Sequence, residues 1–135
     1  MEFKSFDEAF KVIEDNLSEK RVDKINAKGV SHANSLISSG DITRPSSWER
    51  PSVEMENVYL KENGWDKLAQ WYLGIDTSMD PDTKGHYGYI YTSDFKTVDR
   101  EGLRAIRQRS AQNGLKSVFA AAGKMLEIVD KKKDA

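Results

Sequence analysis

The sequence predicts a mainly α fold, four to five helices forming a small bundle of helical hairpins, with one short extended segment near 87–91. Three observations carry this. A capping box opens the chain, apolar residues recur at helical spacing over most of it, and only Tyr87, Tyr89 and Tyr91 alternate with period two.

Helix by helix, the first begins at Ser5 and Glu8, each side chain able to satisfy the other's orphaned backbone N–H. Phe6, Ala9, Phe10, Ile13 and Leu17 then form its apolar stripe. A second stripe runs through Val22, Ile25, Val30, Ala33, Leu36 and Ile37, and Gly40 closes it. Gly29 lies inside that stripe and weakens it by about 1 kcal/mol relative to alanine, so two shorter helices are an alternative. From Asp41 to Ser52 the chemistry turns to Thr, Pro, Ser and Arg, with Trp48 as an apolar tether onto the core. Val53 to Leu60 has no decisive period. Trp65, Leu68, Ala69 and Tyr72, with Leu73 beside them, predict a short helix stopped by Gly74, and 76–88 is a polar loop. Asp99 caps a helix whose inner face holds Leu103, Ile106 and Ser110 or Ala111, ended by Asn113-Gly114. The last helix, Leu115 to about Asp130, carries Leu115, Val118, Phe119, Ala122, Met125, Leu126 and Val129 on one stripe. The short turn between these two helices predicts an antiparallel hairpin.

The expected organisation is a single domain, 1–135: an N-terminal helical hairpin (1–40), a linker-like segment (41–64) and a C-terminal helical module (65–135). Its 135 residues suffice to bury roughly 68% of the surface an unfolded chain exposes. The absence of cysteine excludes disulfides, thiolate metal sites and cysteine nucleophiles. No apolar block of signal-peptide length opens the sequence and no run reaches the about 18 apolar residues of a membrane span, so a cytoplasmic protein is expected, without a membrane partner.

Charge is unevenly spread. Residues 1–83 hold 10 Lys/Arg against 16 Asp/Glu, while residues 84–135 hold 11 against 6. Opposite halves attract within one fold or between copies, or the basic half meets an anionic partner.

The most prominent constellation is basic. Arg100, Arg104 and Arg107 share one helical face, with Arg109 close by, and Lys84, Tyr87, Tyr89 and Tyr91 precede them. Guanidinium groups bind phosphate and phenols stack on bases, so these eight residues are the candidate binding set for nucleic acid or another polyanion. A helix-turn-helix reading of 99–130 fails, because the second helix starts Leu-Lys-Ser-Val-Phe-Ala-Ala-Ala where a recognition helix needs polar groups. Asp76, Asp80 and Asp82 do not have EF-hand spacing, and no metal or cofactor is expected. His86 lies near these acids but has no second catalytic partner at recognisable spacing, so no catalytic residue is assigned and an enzyme is not the leading reading.

The run Trp71-Tyr72-Leu73-Gly74-Ile75-Asp76, then Thr83-Lys84-Gly85-His86-Tyr87, then Asp94-Phe95 with Val98 and Arg100, resembles a small helical module of proteins of unknown function. More distantly it is similar to segments beside phage structural or protease proteins. The resemblance spans roughly 48–130 and implies a shared fold but no activity, cofactor or catalytic residue. The function expected is therefore a non-enzymatic binding or accessory module working through a Tyr/Arg surface on a polyanion or nucleic acid. A protein–protein or self-association module, a homo-oligomer included, is the first alternative, and a small His/Asp hydrolase is the second.

Overall fold

The computed structural model describes residues 19–134 and corrects the fold class: the chain mixes α and β rather than forming a helical bundle. Among the described residues the α-helices of the fold are α1 (Ala27–Ser38), α2 (Val53–Asn63), α3 (Trp65–Ala69), α4 (Arg100–Gln112) and α5 (Lys116–Asp134). The strands are β1 (Lys24–Ile25), ahead of α1, and β2 (Ile42–Thr43), β3 (Tyr72–Ile75), β4 (Tyr87–Ile90) and β5 (Val98–Asp99) between the helices. The helix predicted over Ser5–Leu17 lies outside the described residues.

The principal sheet is three-stranded and antiparallel, in the order β1-β3-β4. Its register places Ile25 opposite Gly74, Tyr72 opposite Ile90 and Gly74 opposite Gly88. The paired glycines have a packing cause: a Cβ on Gly74 or Gly88 would lie 2.6 Å from a methyl of Val22. A second pair, β2 with β5, is parallel and joins Ile42 to Val98. The helix expected to run through Tyr72 is therefore only Trp65–Ala69, and Gly74 sits inside a strand rather than stopping a helix. Trp71 to Leu73 is a short apolar run, buried throughout, and burial of every side chain removes the periodicity that separates strand from helix.

α1 crosses this sheet so closely that a Cβ on Gly29 would fall 1.8 Å from the Tyr72 carbonyl oxygen. Asn26, at the helix N-terminus, does not cap it. Its amide instead donates to the carbonyls of Ala69, at 2.8 Å, and Tyr72, at 2.9 Å. The segment read as linker-like contains β2 and α2. Its Trp48 is half-buried against Gly102 of α4, where a Cβ would lie 2.5 Å from the indole. Arg44 donates to the Val129 carbonyl, at 2.8 Å, and ties the same segment to α5.

α2 is inverted. It exposes Val53, Met55 and Val58 and buries Glu56, which accepts from Arg50 and from the Tyr72 hydroxyl, both at 2.9 Å. Helices α4 and α5 pack along their lengths as the antiparallel hairpin the turn predicts, with Gly114 at φ +72° in the connection. Asp99 caps α4 by accepting from the Gly102 N–H, at 2.9 Å. Leu103 and Ile106 from α4 and Val118, Ala122, Met125 and Val129 from α5 enter the apolar cluster that β3 and β4 also line.

Candidate interaction groove

The outer face of the α4/α5 hairpin carries an open groove of about 870 Å³. Trp48, Phe119 and Leu126 give it apolar walls, while Arg100, Arg104, Arg107, Glu101, Glu127 and Asp130 supply its charges. Three of the eight predicted site residues therefore meet in one concavity.

Their environments differ. Arg100 donates through Nε to Asp130, at 2.7 Å, and through Nη1 to Glu101, at 2.8 Å. The bond to Asp130 leads the causes that hold its guanidinium still more firmly in the charged form. Arg104 is exposed and reaches Glu101 one turn back, at 3.2 Å. Arg107 has no acidic partner among the described residues. Its guanidinium lies over the Phe119 ring, 4.8 Å from the centroid, beside Gly123, where a Cβ would stand 3.6 Å from Nε. Such a cation on an aromatic face keeps its outward N–H donors available.

The other five predicted residues are placed elsewhere. Arg109 pairs with buried Glu19, at 3.0 Å, and fastens the start of the described chain to α4. Lys84 sits in a short 3-10 turn, Lys84–His86, and donates to Asn57 of α2. Tyr87, Tyr89 and Tyr91 are core residues, not a stacking surface, and this corrects the expectation of a Tyr/Arg face. The Tyr87 hydroxyl donates to the Pro81 carbonyl, at 2.6 Å, and that of Tyr91 to the Gln70 carbonyl, at 2.7 Å. The Tyr89 hydroxyl accepts from the Asn113 amide, at 2.8 Å. Burial raises all three phenols above their ordinary pKa. Regular alternation fails as well, because Tyr89 has φ +65°, a left-handed conformation that costs a bulky residue of order 1–3 kcal/mol.

The His/Asp loop is occupied with its own folding. His86 is buried and its Nδ1 donates to the Met79 carbonyl, at 2.9 Å. Asp76 accepts from the Ser78 N–H, at 2.9 Å, and hydroxyl, at 2.6 Å, while Asp80 accepts from the Asp82 N–H, at 2.8 Å. Among the described residues no three His, Asp or Glu side chains are grouped to hold a metal ion.

A second, smaller concavity of about 540 Å³ lies between α1 and α3, lined by Lys28, His32, Asp66 and Gln70 among others. His32 packs edge-on against Trp71, at 4.7 Å, and burial, aided by Lys67, lowers its pKa. No described helix is long and apolar enough to cross a membrane.

No family model, curated protein or solved structure matches this chain.

Trp48, Glu101, Phe119, Leu126, Glu127 and Asp130 line the groove but were not among the sequence-predicted site residues. Phe119 shares a helical stripe with Val118, and spacing alone places both inside, whereas α5 turns Val118 inward and leaves Phe119 beneath Arg107. The signal for Trp48 was its tether reading: a tryptophan packed on a helix from a loop walls whatever groove lies beside that helix.

Proposed function

We propose that the protein is a non-enzymatic, protein-binding module whose working surface is the α4/α5 groove. The observation that carries this is Arg107: a guanidinium stacked on Phe119 in the α4/α5 groove, with no acid beside it among the described residues. A partner segment that lays an apolar side chain between Trp48, Phe119 and Leu126 and brings a carboxylate to Arg107 satisfies both features.

Two facts favour a protein over a polyanion. The groove's three arginines stand among three acids, so it lacks the net positive field that concentrates phosphates. The tyrosines that would have stacked bases are in the core. A cytoplasmic setting belongs to the same reading, and a chain without cysteine is compatible with a reducing compartment.

The test is a fluorescence-anisotropy titration, at a dilution where the protein is monomeric, with three labelled probes. One is a Leu/Gln peptide carrying a single Glu, the second is the same peptide with Lys in that place, and the third is a single-stranded oligonucleotide. The reading predicts binding of the Glu peptide, weaker binding of the Lys peptide, and loss of that preference in Arg107→Ala. Tightest binding of the oligonucleotide, or no preference between the peptides, contradicts it.

A further inference from the structure

We infer that the occupant of the α4/α5 groove is a second copy of this chain, related to the first by a two-fold axis. The inference rests on the protein-binding reading above and adds the identity of the partner. It comes from sorting the groove's six charges into those already matched and those left open.

Arg100, Arg104, Glu101 and Asp130 are matched with one another inside one chain. Arg107 and Glu127 remain, and neither makes an ion pair among the described residues. Both line the same groove, Arg107 above Gly123 and Glu127 four residues, hence one helical turn, further along α5. A purely acidic partner would answer Arg107 and set a like charge against Glu127. A purely basic partner would do the reverse. The surface calls for a partner presenting one cation and one carboxylate about one helical turn apart, flanking an apolar patch, and this chain presents that arrangement itself.

A two-fold axis turns one such surface onto another so that residue i meets residue j and j meets i. Arg107 of each copy then faces the Glu127 of the other, the pair is made twice, and Trp48, Phe119 and Leu126 of the two copies close the centre. Gly123, without a side chain, lets the Arg107 guanidinium lie against α5 and holds that charge at the level of Glu127's neighbouring turn. The pairing also fixes orientation: sliding one copy by a turn brings Arg107 against Arg107, a like-charge contact that disfavours other registers.

The experiment is sedimentation velocity on the full chain over rising concentration, for the wild type, Arg107→Glu, Glu127→Arg and an equimolar mixture of the two variants. The wild type is expected to move from 15.3 kDa toward twice that mass as concentration rises, and to move back in high salt. Each variant alone is expected to stay at the monomer mass, and the mixture to regain the doubled mass, because exchanging both signs restores the complement. Both side chains are exposed, so folding is preserved. Circular dichroism checks it, and Arg107→Gln with Glu127→Gln serve where a charge reversal unfolds the chain. A wild type that stays monomeric, a dimer that both variants leave intact, or a mixture that stays monomeric overturns the inference. The Glu-peptide titration on the same samples separates the two levels: a monomer that binds the peptide through Arg107 removes the second copy and keeps the groove, and a monomer that does not bind removes both.

Discussion

Replacing Gly29 by alanine inverts the sign that helix propensity assigns to it. In an isolated helix the change stabilises by about 1 kcal/mol. Here the added Cβ would lie 1.8 Å from the carbonyl oxygen of Tyr72 and 2.7 Å from its carbon. The nearest ordinary C···O approach is about 3.3 Å, so α1 must retreat from β3 by about 1.5 Å. That movement stretches both bonds from the Asn26 amide, now 2.8 and 2.9 Å, beyond hydrogen-bonding range and leaves a buried amide unpaired. The loss is about 2 kcal/mol, and displacing the buried Ala33 and Ile37 adds about 2 kcal/mol of repacking. Less the propensity gain, the net cost is about 3 kcal/mol, a fall in Tm of about 10 °C for a chain of this size. Urea unfolding followed by circular dichroism reads it as a lowered midpoint with unchanged slope. A Gly29→Ala protein as stable as the wild type, or more so, would refute the account of how α1 meets the sheet.

Other consequences concern buried polar groups. Glu56→Ala leaves the Tyr72 hydroxyl and the Arg50 guanidinium without the carboxylate both reach at 2.9 Å, and thermal unfolding should show a loss of about 2 kcal/mol; an unchanged Tm would mean that α2 is not held by its buried acid. Burial alone would raise the pKa of Asp94, but bonds from the N–H groups of Lys96 and Thr97 and the hydroxyls of Thr97 and Thr92 outweigh it and hold the carboxyl below 3.8. A carboxyl depressed by folding stabilises above its unfolded pKa and loses that contribution as pH falls through about 3.8 and below. Asp94→Ala should thus lose stability at neutral pH and flatten the acid limb of a stability–pH curve, whereas an unaltered acid limb would dismiss this cause. The phenols run the other way, since Tyr87, Tyr89 and Tyr91 are raised above 10.0 by burial, so the unfolded state ionises first and stability falls as pH climbs past 10. Ultraviolet titration of single Tyr→Phe variants should show Tyr87, Tyr89 and Tyr91 ionising above the range of an exposed phenol; ionisation of these three at about 10 would return them to the surface.

The C-terminal hairpin was the most legible part of the chain. Asp99, the Leu103/Ile106 face, the Asn113-Gly114 stop and the stripe from Val118 to Val129 are local signals, and local signals suffice for helices that pack on a single face. The strands were less legible because their cause is tertiary. Lys24-Ile25 and Val98-Asp99 are two-residue segments that exist only because distant partners pair with them, and no periodicity can form over two residues. Tyr72 to Ile75 was hidden by a helical spacing from Trp65 that continues into it. The candidate site was legible in part: spacing put Arg100, Arg104 and Arg107 on one face, and the structure keeps them there. The Glu101 partner of Arg104 is local, one turn back on the same helix, but sequence could not tell that Arg100 also reaches Asp130 while Arg107 rests on a ring, because those two contacts live in how α5 lies against α4. The tyrosines misled through composition, since aromatics near arginines read as a stacking surface until their burial is known.

The most direct test of the groove is an amide chemical-shift map of the isotope-labelled protein, recorded as the single-Glu Leu/Gln peptide is added. The account predicts that the largest shifts fall at Arg104, Arg107, Phe119, Gly123 and Glu127, with Arg107→Ala abolishing them. Shifts centred on 84–91 or on α1, with the α4/α5 face unmoved, would contradict it.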